Sequence, residues 1–138
     1  MADDENHIRG PFRWAADGEY SQAVVANGLI FVSGQYGADE SGGVVSDDFR
    51  EQAHATFANL ERVLAAARVG MDAIIQLRCF LKRAEDYPIF KEIRRSYIGP
   101  PYPAASVICV SEFALPRLLI EIDVVAKCGD QFGHDMRQ

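Results

Sequence analysis

An Asn-Gly pair between two apolar runs is the feature that most restricts how this chain can fold. Asn27 and Gly28 separate the run AVVA from the run LIFV. Both central positions of the tightest hairpin turn need a positive φ, and Asn followed by Gly adopts that geometry readily. The pair therefore predicts an antiparallel hairpin whose strands are residues 21–26 and 29–35.

A helical pattern follows the glycine-rich loop at residues 37–43. The apolar residues that recur there every three or four positions are Ala53, Phe57, Leu60 and Leu64. This spacing places them on one face of a helix and predicts a helix over residues 47–68. Ser46 or Asp47 can cap its start, and Gly70 follows its end.

The other segments alternate between strand and helix patterns. The predicted elements are a short strand at 44–45, a strand at 74–82, a helix that begins at 86–88 and carries Phe90, Ile93 and Tyr97 on one face, and strands at 104–111 and 118–127. The order β-β-β-α-β-α-β-β predicts an α+β domain with one mixed sheet and both helices on one face. The expected limits are a lead-in at 1–18, a single domain at 19–128 and a frayed tail at 129–138.

Strict alternation separates two faces in the predicted sheet. One face carries Leu77, Cys79, Leu81, Ile120, Ile122 and Val124. The opposite face carries Gln76, Arg78, Phe80, Lys82, Glu121 and Asp123. Because the second face mixes charged and apolar groups, it suits a subunit interface with a polar site better than a plain solvated surface.

Charge and cysteine content restrict the partners and the compartment. The net charge of −6 disfavours nucleic acid as a partner, and we interpret the basic cluster of Lys91, Arg94 and Arg95 as a solvated helix face. Three cysteines without close spacing indicate a reducing, cytoplasmic location. The polar start MADDENHIRG does not resemble a signal peptide, and no apolar run is long enough to span a membrane. The scattered histidines have no metal-binding spacing.

Residues 102–110, YPAASVICV, contain mostly small and β-branched residues, which predicts a buried strand. YPAAS at 102–106 also belongs to an ordered set of motifs with YSQAV at 20–24, FVSGQ at 31–35 and a Leu-Pro to Ile-Glu-Ile run at 115–122. Each motif is short, but the ordered set around two helices resembles the Rid family, also called YjgF/YER057c/UK114. The resemblance covers roughly residues 20–126.

The resemblance implies a chorismate-mutase-like fold and a homotrimer whose three sheets face inward. It also implies that small molecules bind in clefts between neighbouring subunits. The best-known activity in the family is hydrolysis of reactive imines and enamines, such as 2-aminoacrylate, to a 2-keto acid and ammonia. We expect no cofactor and no metal for this chemistry.

The resemblance also implies which residues line the cleft. The positions that match the family pattern are Tyr20, Ser33, Gly34 and Glu121. The family's carboxylate-binding arginine belongs to a motif that reads Pro-Ala-Ala-Ser here, and the arginine position is Ala105. Val107 replaces a cysteine or small residue of many members, and Lys91 replaces an asparagine. We therefore predict a cleft with altered substrate range because its anion-binding arginine is missing.

Each candidate has a structural alternative. Glu121 would orient the attacking water or pair with a neighbouring base. Tyr20 would line the cleft or pack as a half-buried aromatic. Ser33 and Gly34 would offer backbone groups to a ligand or form a bulge.

Other polar residues could replace the missing arginine or face the cleft. Arg78 would bind the substrate anion or form a structural pair with Glu121 or Asp123, and we favour the pair. Arg117 is a second candidate cation, although a surface position fits it better. Cys109 shares its face with Ala105 and Val107, but no adjacent base marks it as a nucleophile.

Three functions compete on this sequence. The first is an imine or enamine deaminase that acts on a larger or less acidic substrate than 2-aminoacrylate. The second is a non-catalytic trimer that binds a small molecule or has a regulatory role. The third is the ribonuclease activity attributed to some relatives, which the acidic charge makes least favoured.

Overall fold

The computed structural model describes residues 5–16 and 18–129. In these residues the elements are β1 (His7–Ile8), β2 (Ala23–Ala26), β3 (Leu29–Gln35), α1 (Phe49–Ala66), β4 (Ile74–Leu81), α2 (Tyr87–Arg94), β5 (Ala104–Cys109) and β6 (Ile120–Lys127). Short 3-10 turns cover Arg13–Ala15, Met71–Ala73 and Ala84–Asp86. The predicted tail lies outside the described residues from position 130 onward.

The predicted hairpin is formed by β2 and β3. Asn27 has φ 53° and Gly28 has φ 78°, so both turn residues adopt the left-handed region that the Asn-Gly pair favours. Ala26 pairs with Leu29 directly across this two-residue turn. The local sequence signal therefore determines the register of the first strand pair.

The strands form one sheet in the order β1-β2-β3-β6-β4-β5. β4 and β5 are parallel and are connected through α2, whereas the other neighbouring pairs are antiparallel. This gives the predicted mixed sheet and element order, but one strand was assigned wrongly. Val44 forms only an isolated bridge with Ala38, and the additional strand is His7–Ile8, which pairs with β2.

Both helices cover one face of the sheet, as predicted. The strand residues buried under them include Leu77, Cys79, Leu81, Ile120, Ile122 and Val124. The apolar stripe of α1 packs against these strand residues. Its members are all fully buried and are Ala53, Phe57, Leu60 and Leu64. From α2, Phe90 stacks near Phe57 with ring centroids 6.0 Å apart. Among residues 5–16 and 18–129, no helix covers the opposite face.

Asp48 caps α1, so the prediction of Ser46 or Asp47 was wrong by one or two residues. The Asp48 carboxylate accepts a hydrogen bond from the Glu51 backbone N–H at 3.0 Å, the pattern of an N-cap. Ser46 Oγ instead accepts from the Asp48 N–H. Asp47 binds Arg117 in the loop before β6.

The segment before β2 packs onto the domain. Phe12 is buried, and its ring stacks on Trp14 with centroids 5.5 Å apart. The Arg62 guanidinium of α1 lies 4.8 Å from the centre of the Phe12 ring. These aromatic contacts attach the segment to the first helix.

β5 differs from its prediction as a buried strand. Within the described residues it lies at the edge of the sheet and pairs with β4 alone. Most of its residues are exposed in the single chain, and Ile108 is 45% exposed. Its apolar composition therefore reflects an edge with an uncovered surface rather than a central strand.

Candidate functional site

On the helix-free face, the Glu121 carboxyl group lies against Gly34. Glu121 lies on β6 and Gly34 on β3, the neighbouring strand. A Cβ atom built on Gly34 would lie within 3 Å of two atoms of the Glu121 carboxyl group. Only glycine therefore leaves the carboxylate in its present position against the β3 backbone.

A bulge in β3 creates this contact. Val32 pairs with Val124 and Gln35 pairs with Ile122, so Ser33 and Gly34 fall in an irregular stretch of the β3–β6 ladder. A regular strand would leave no additional residue there.

The polar groups of Ser33 are already used within the chain. Its N–H donates to the Gln22 carbonyl at 2.9 Å, and its hydroxyl donates to the Ser21 carbonyl at 2.7 Å. Its own carbonyl accepts from the Gln35 side chain at 3.1 Å. Ser33 thus holds the bulge, while Gly34 provides the surface beside the carboxylate.

Tyr36 joins this group, although the sequence reasoning did not identify it. Burial raises the pKa of the Tyr36 phenol, and the neighbouring Tyr20, Asp39 and Glu121 raise it further. Its hydroxyl donates to the Gly42 carbonyl at 2.6 Å. Tyr20 is 49% exposed, so its ring borders an open surface. The adjacency of Tyr36 to the FVSGQ motif was the available sequence signal.

The Glu121 carboxyl group has a raised pKa. Desolvation by burial is the main cause, and the negative charge of Asp123 on the same face adds to it. A carboxylate that is costly to ionise binds protons more strongly than one in water. Glu121 can therefore accept a proton from water or hold water by a hydrogen bond.

Ala105 and Val107 lie on the opposite face from Glu121. In the parallel register Leu77 pairs with Ala105 and Cys79 with Val107, so both β5 residues point to the side of the helices. They border an open groove of about 400 Å³ between β5 and α2. The residues that line this groove are Leu81, Ala84, Tyr87, Arg94, Ala105, Val107 and Cys109.

The candidate residues thus form two groups that one chain does not bring together. Glu121 and Gly34 lie on the helix-free face, and Ala105 and Val107 lie on the helix side two strands away from β6. At about 4.8 Å between strands, β5 and β6 are roughly 10 Å apart. A cleft that contains both groups needs a second chain.

Arg78 forms the structural pair that the sequence analysis favoured. Its Nε donates to Oδ1 of Asp123 and its Nη2 donates to Oδ2, both at 2.8 Å. This two-point geometry uses both carboxylate oxygens. Arg117 is likewise engaged at the surface, where it donates to Asp47 at 2.9 Å.

The basic cluster on α2 is only partly a solvated helix face, which corrects the earlier interpretation. Arg95 is exposed, but Lys91 and Arg94 are half-buried. Lys91 Nζ lies 5.1 Å from the centre of the Tyr87 ring, and the Arg94 guanidinium lies 5.2 Å from the Phe90 ring. Arg94 lines the groove beside Ala105. Sequence spacing alone could not show which side of α2 faces the β5 edge.

The remaining titratable groups do not form a metal site in the described residues. No group of three or more His, Cys, Asp or Glu side chains there could hold an ion. Cys79 is buried in the core, where desolvation raises the pKa of its thiol, and Cys109 is exposed. His54 bonds to the Tyr97 hydroxyl at 2.8 Å.

No helix within 5–16 and 18–129 is long and apolar enough to cross a membrane.

The sequence of this chain matches a known protein family over most of its length. The family model described as Endoribonuclease L-PSP matches residues 12–128, which is most of the chain. The chain belongs to this family, also known as the Rid family. Membership accounts for the order of the four motifs around the two helices. That Ala105 of this Rid chain stands where the family motif has an arginine remains a prediction from the sequence.

Two curated relatives illustrate the range of names among similar proteins. "Putative regulator AldR" of Lactococcus lactis is 35% identical over 115 residues, which are 82% of this chain and 90% of that protein. "2-iminobutanoate/2-iminopropanoate deaminase" of Dermatophagoides farinae is 29% identical over 101 residues, or 72% and 77% of the two chains. The solved structure titled Protein YJGH has a TM-score of 0.78 at 30% identity, covering 89% of this chain and 97% of that chain.

Proposed function

We propose that the protein is a Rid-type deaminase that hydrolyses a reactive imine or enamine to a carbonyl compound and ammonia. The observation that supports this most directly is the partly desolvated Glu121 carboxylate against Gly34 on the helix-free face. Relatives with deaminase names support the reaction class. The family description refers to an endoribonuclease, but a net charge of −6 disfavours RNA as a substrate.

In the proposed reaction, Glu121 holds and deprotonates the attacking water. The water oxygen bonds to the C=N carbon and the nitrogen takes the proton that left the water, which gives a tetrahedral adduct. The hydroxyl proton of the adduct then moves to the nitrogen, the C–N bond breaks, and ammonia leaves as C=O forms. Each turnover consumes one water and releases one ammonia. An enamine substrate first takes a proton on carbon to become the imine.

The catalytic unit in this proposal is a homotrimer with a cleft between each pair of subunits. The helix-free face of one chain would supply Tyr20, Gly34 and Glu121. The groove of its neighbour would supply Ala105 and Val107. The support for this is the separation of the two groups in one chain and the uncovered edge of β5.

The preferred substrate would differ from a small 2-imino acid. Ala105 leaves space where the resemblance implies a guanidinium, and the adjoining groove of about 400 Å³ is wide enough for a larger side chain. The free thiols of Cys79, Cys109 and Cys128 fit the predicted cytoplasmic setting.

A coupled assay tests the reaction. An amino-acid oxidase generates imines from a panel of amino acids, and imine decay is followed with wild-type protein, Glu121→Gln and Gly34→Ala. We expect wild type to accelerate hydrolysis and Glu121→Gln to lose at least about 100-fold in rate, since general-base contributions are typically 10²–10⁴-fold. Gly34→Ala keeps the carboxylate but displaces it, so its rate should also fall.

Gly37→Ala is the matched control for the glycine change. A Cβ there would lie 2.9 Å from the Gln52 carbonyl, a backbone atom that cannot easily shift, so this variant should lose stability. At Gly34 the obstacle is the flexible end of a side chain, so stability should change little. If the wild-type protein does not accelerate the hydrolysis of any imine in the panel, the deaminase proposal is contradicted.

A regulatory ligand-binding trimer is the second candidate, and the name of AldR is the observation that favours it. In that case the same clefts would bind a small molecule without converting it. Binding of a 2-keto acid, without hydrolysis of any imine in the panel, would favour this function.

A further inference from the structure

Among the described residues, a groove beside β5 is lined by two guanidinium groups and no carboxylate. It encloses about 290 Å³ and adjoins the groove described above, with which it shares Arg94 and Ala105. Its lining residues are Leu77, Arg94, Arg95, Ile98, Tyr102, Pro103 and Ala105. In a chain of net charge −6, this is a locally positive surface. Arg94 is the cation that both grooves share.

Arg94 packs against an aromatic ring but has no anionic partner in the part of the chain that the structure describes. It is half-buried at the end of α2, and its guanidinium lies 5.2 Å from the centre of the fully buried Phe90 ring. Within residues 5–16 and 18–129 it makes no ion pair. A partly desolvated guanidinium gains from a carboxylate because charge-assisted hydrogen bonds replace lost hydration.

The two other candidate cations are already neutralised. Arg78 binds both oxygens of Asp123, and Arg117 binds Asp47. Recruiting either one to a ligand would break an ion pair. Arg94 carries no such cost.

We propose that Arg94 binds the carboxylate of an organic acid in the groove between α2 and β5. The guanidinium would come from the helix rather than from the β5 position that Ala105 occupies. Leu77, Ile98 and Pro103 would contact the carbon chain of the ligand. The substrate class, a 2-imino acid, rests on the proposed function, whereas the binding of the anion does not.

Binding of a 2-keto acid and its ester tests the site. We would titrate 4-methyl-2-oxopentanoate and its methyl ester into full-length wild type, Arg94→Gln, Arg94→Lys and Arg117→Gln by calorimetry or NMR. Arg94→Gln should weaken binding of the acid at least about tenfold and leave the uncharged ester unchanged. Arg94→Lys keeps the charge without the two-point geometry and should be intermediate. Arg117→Gln should resemble wild type.

Three results would overturn the assignment. They are equal binding of acid and ester to wild type, full retention of acid binding in Arg94→Gln, and a loss in Arg117→Gln as large as that in Arg94→Gln. Ester binding also reports whether the variants are folded. Because no turnover is needed, a protein that binds the acid through Arg94 but hydrolyses no imine would disprove the deaminase and keep this inference.

Discussion

At the scale of single residues, the charged form of Glu121 costs folding stability, while its raised pKa suits the proposed general-base chemistry. Burial and Asp123 disfavour its charged form, and the lack of a side chain at Gly34 lets the carboxyl group lie against the β3 backbone. A raised carboxyl pKa weakens the folded state as the pH rises, because the native chain must then ionise a group that the unfolded chain ionises easily. Such a group is retained more readily for chemistry than for stability.

Glu121→Gln should remove this pH-dependent cost. In wild type, stability is full below the ordinary glutamate pKa of about 4.5 and falls as the pH rises through the higher native pKa. At pH 7 the variant should therefore unfold at a temperature equal to or above that of wild type. Thermal unfolding of both proteins between pH 4 and 8 measures the difference.

Glu112→Gln, at an exposed position, is the charge-matched control for that experiment. It should not reproduce the effect. A Glu121→Gln protein that is less stable than wild type at pH 7 with the same pH dependence would show that the carboxylate stabilises the fold.

At the scale of elements, the contacts around α1 connect distant parts of the chain. Gln52 is fully buried, and its side-chain amide donates to the Ser46 and Arg117 carbonyls while its oxygen accepts from the Leu119 N–H. One helix residue thus joins the loop before α1 to the loop before β6. Because buried polar groups are costly without partners, this connection keeps β6 and Glu121 in register.

The N-cap of α1 is predicted to stabilise the element by a modest amount. Asp48→Ala removes the acceptor for the Glu51 N–H and should cost about 1 kcal/mol, or a few degrees in unfolding temperature. Asp47→Ala is the matched control, since its ion pair with Arg117 is exposed and should contribute little. Thermal denaturation of the two variants compares them. An equal loss for both would contradict the assignment of the cap.

At the scale of the whole molecule, the helix-free face is too apolar at one end for a purely solvated surface. Phe31 is 46% exposed on β3, next to Val125 of β6 and Val24 of β2. The other end carries the Arg78–Asp123 pair and Glu121. An apolar patch rimmed by charges is typical of a surface between subunits.

Phe31→Arg should disrupt the proposed homotrimer. Wild type is expected at three times 15.3 kDa, about 46 kDa, and the variant at the mass of one chain. Ala58→Arg on the exposed side of α1 is the control and should not change the mass. Light scattering coupled to gel filtration measures both. A wild-type protein that is monomeric at micromolar concentration would contradict the trimer.

Features with a local physical cause were predictable from the sequence. The Asn-Gly turn depends on two residues, and the buried stripe of α1 depends on a spacing of three and four. The two faces of β4 and β6 follow from alternation within each strand. In each case the determining forces act between residues close in sequence. The order of residues along the chain is therefore sufficient to predict these features.

Features that depend on which strands become neighbours were not predictable in the same way. The pairing of His7–Ile8 with β2 and the exposure of β5 follow from the sheet order. The resemblance proposed the motif residues of the candidate site, but their division between two faces of the sheet was not foreseen.

The sequence by itself determined the hairpin, the helices and the two faces of the sheet. Only the tertiary structure decided that Glu121 lies against Gly34 and that Arg94 borders Ala105 without a carboxylate partner in the described chain. The reason is that periodicity defines which face of an element is apolar. The packing of whole elements, which maximises burial across long loops, defines which faces meet.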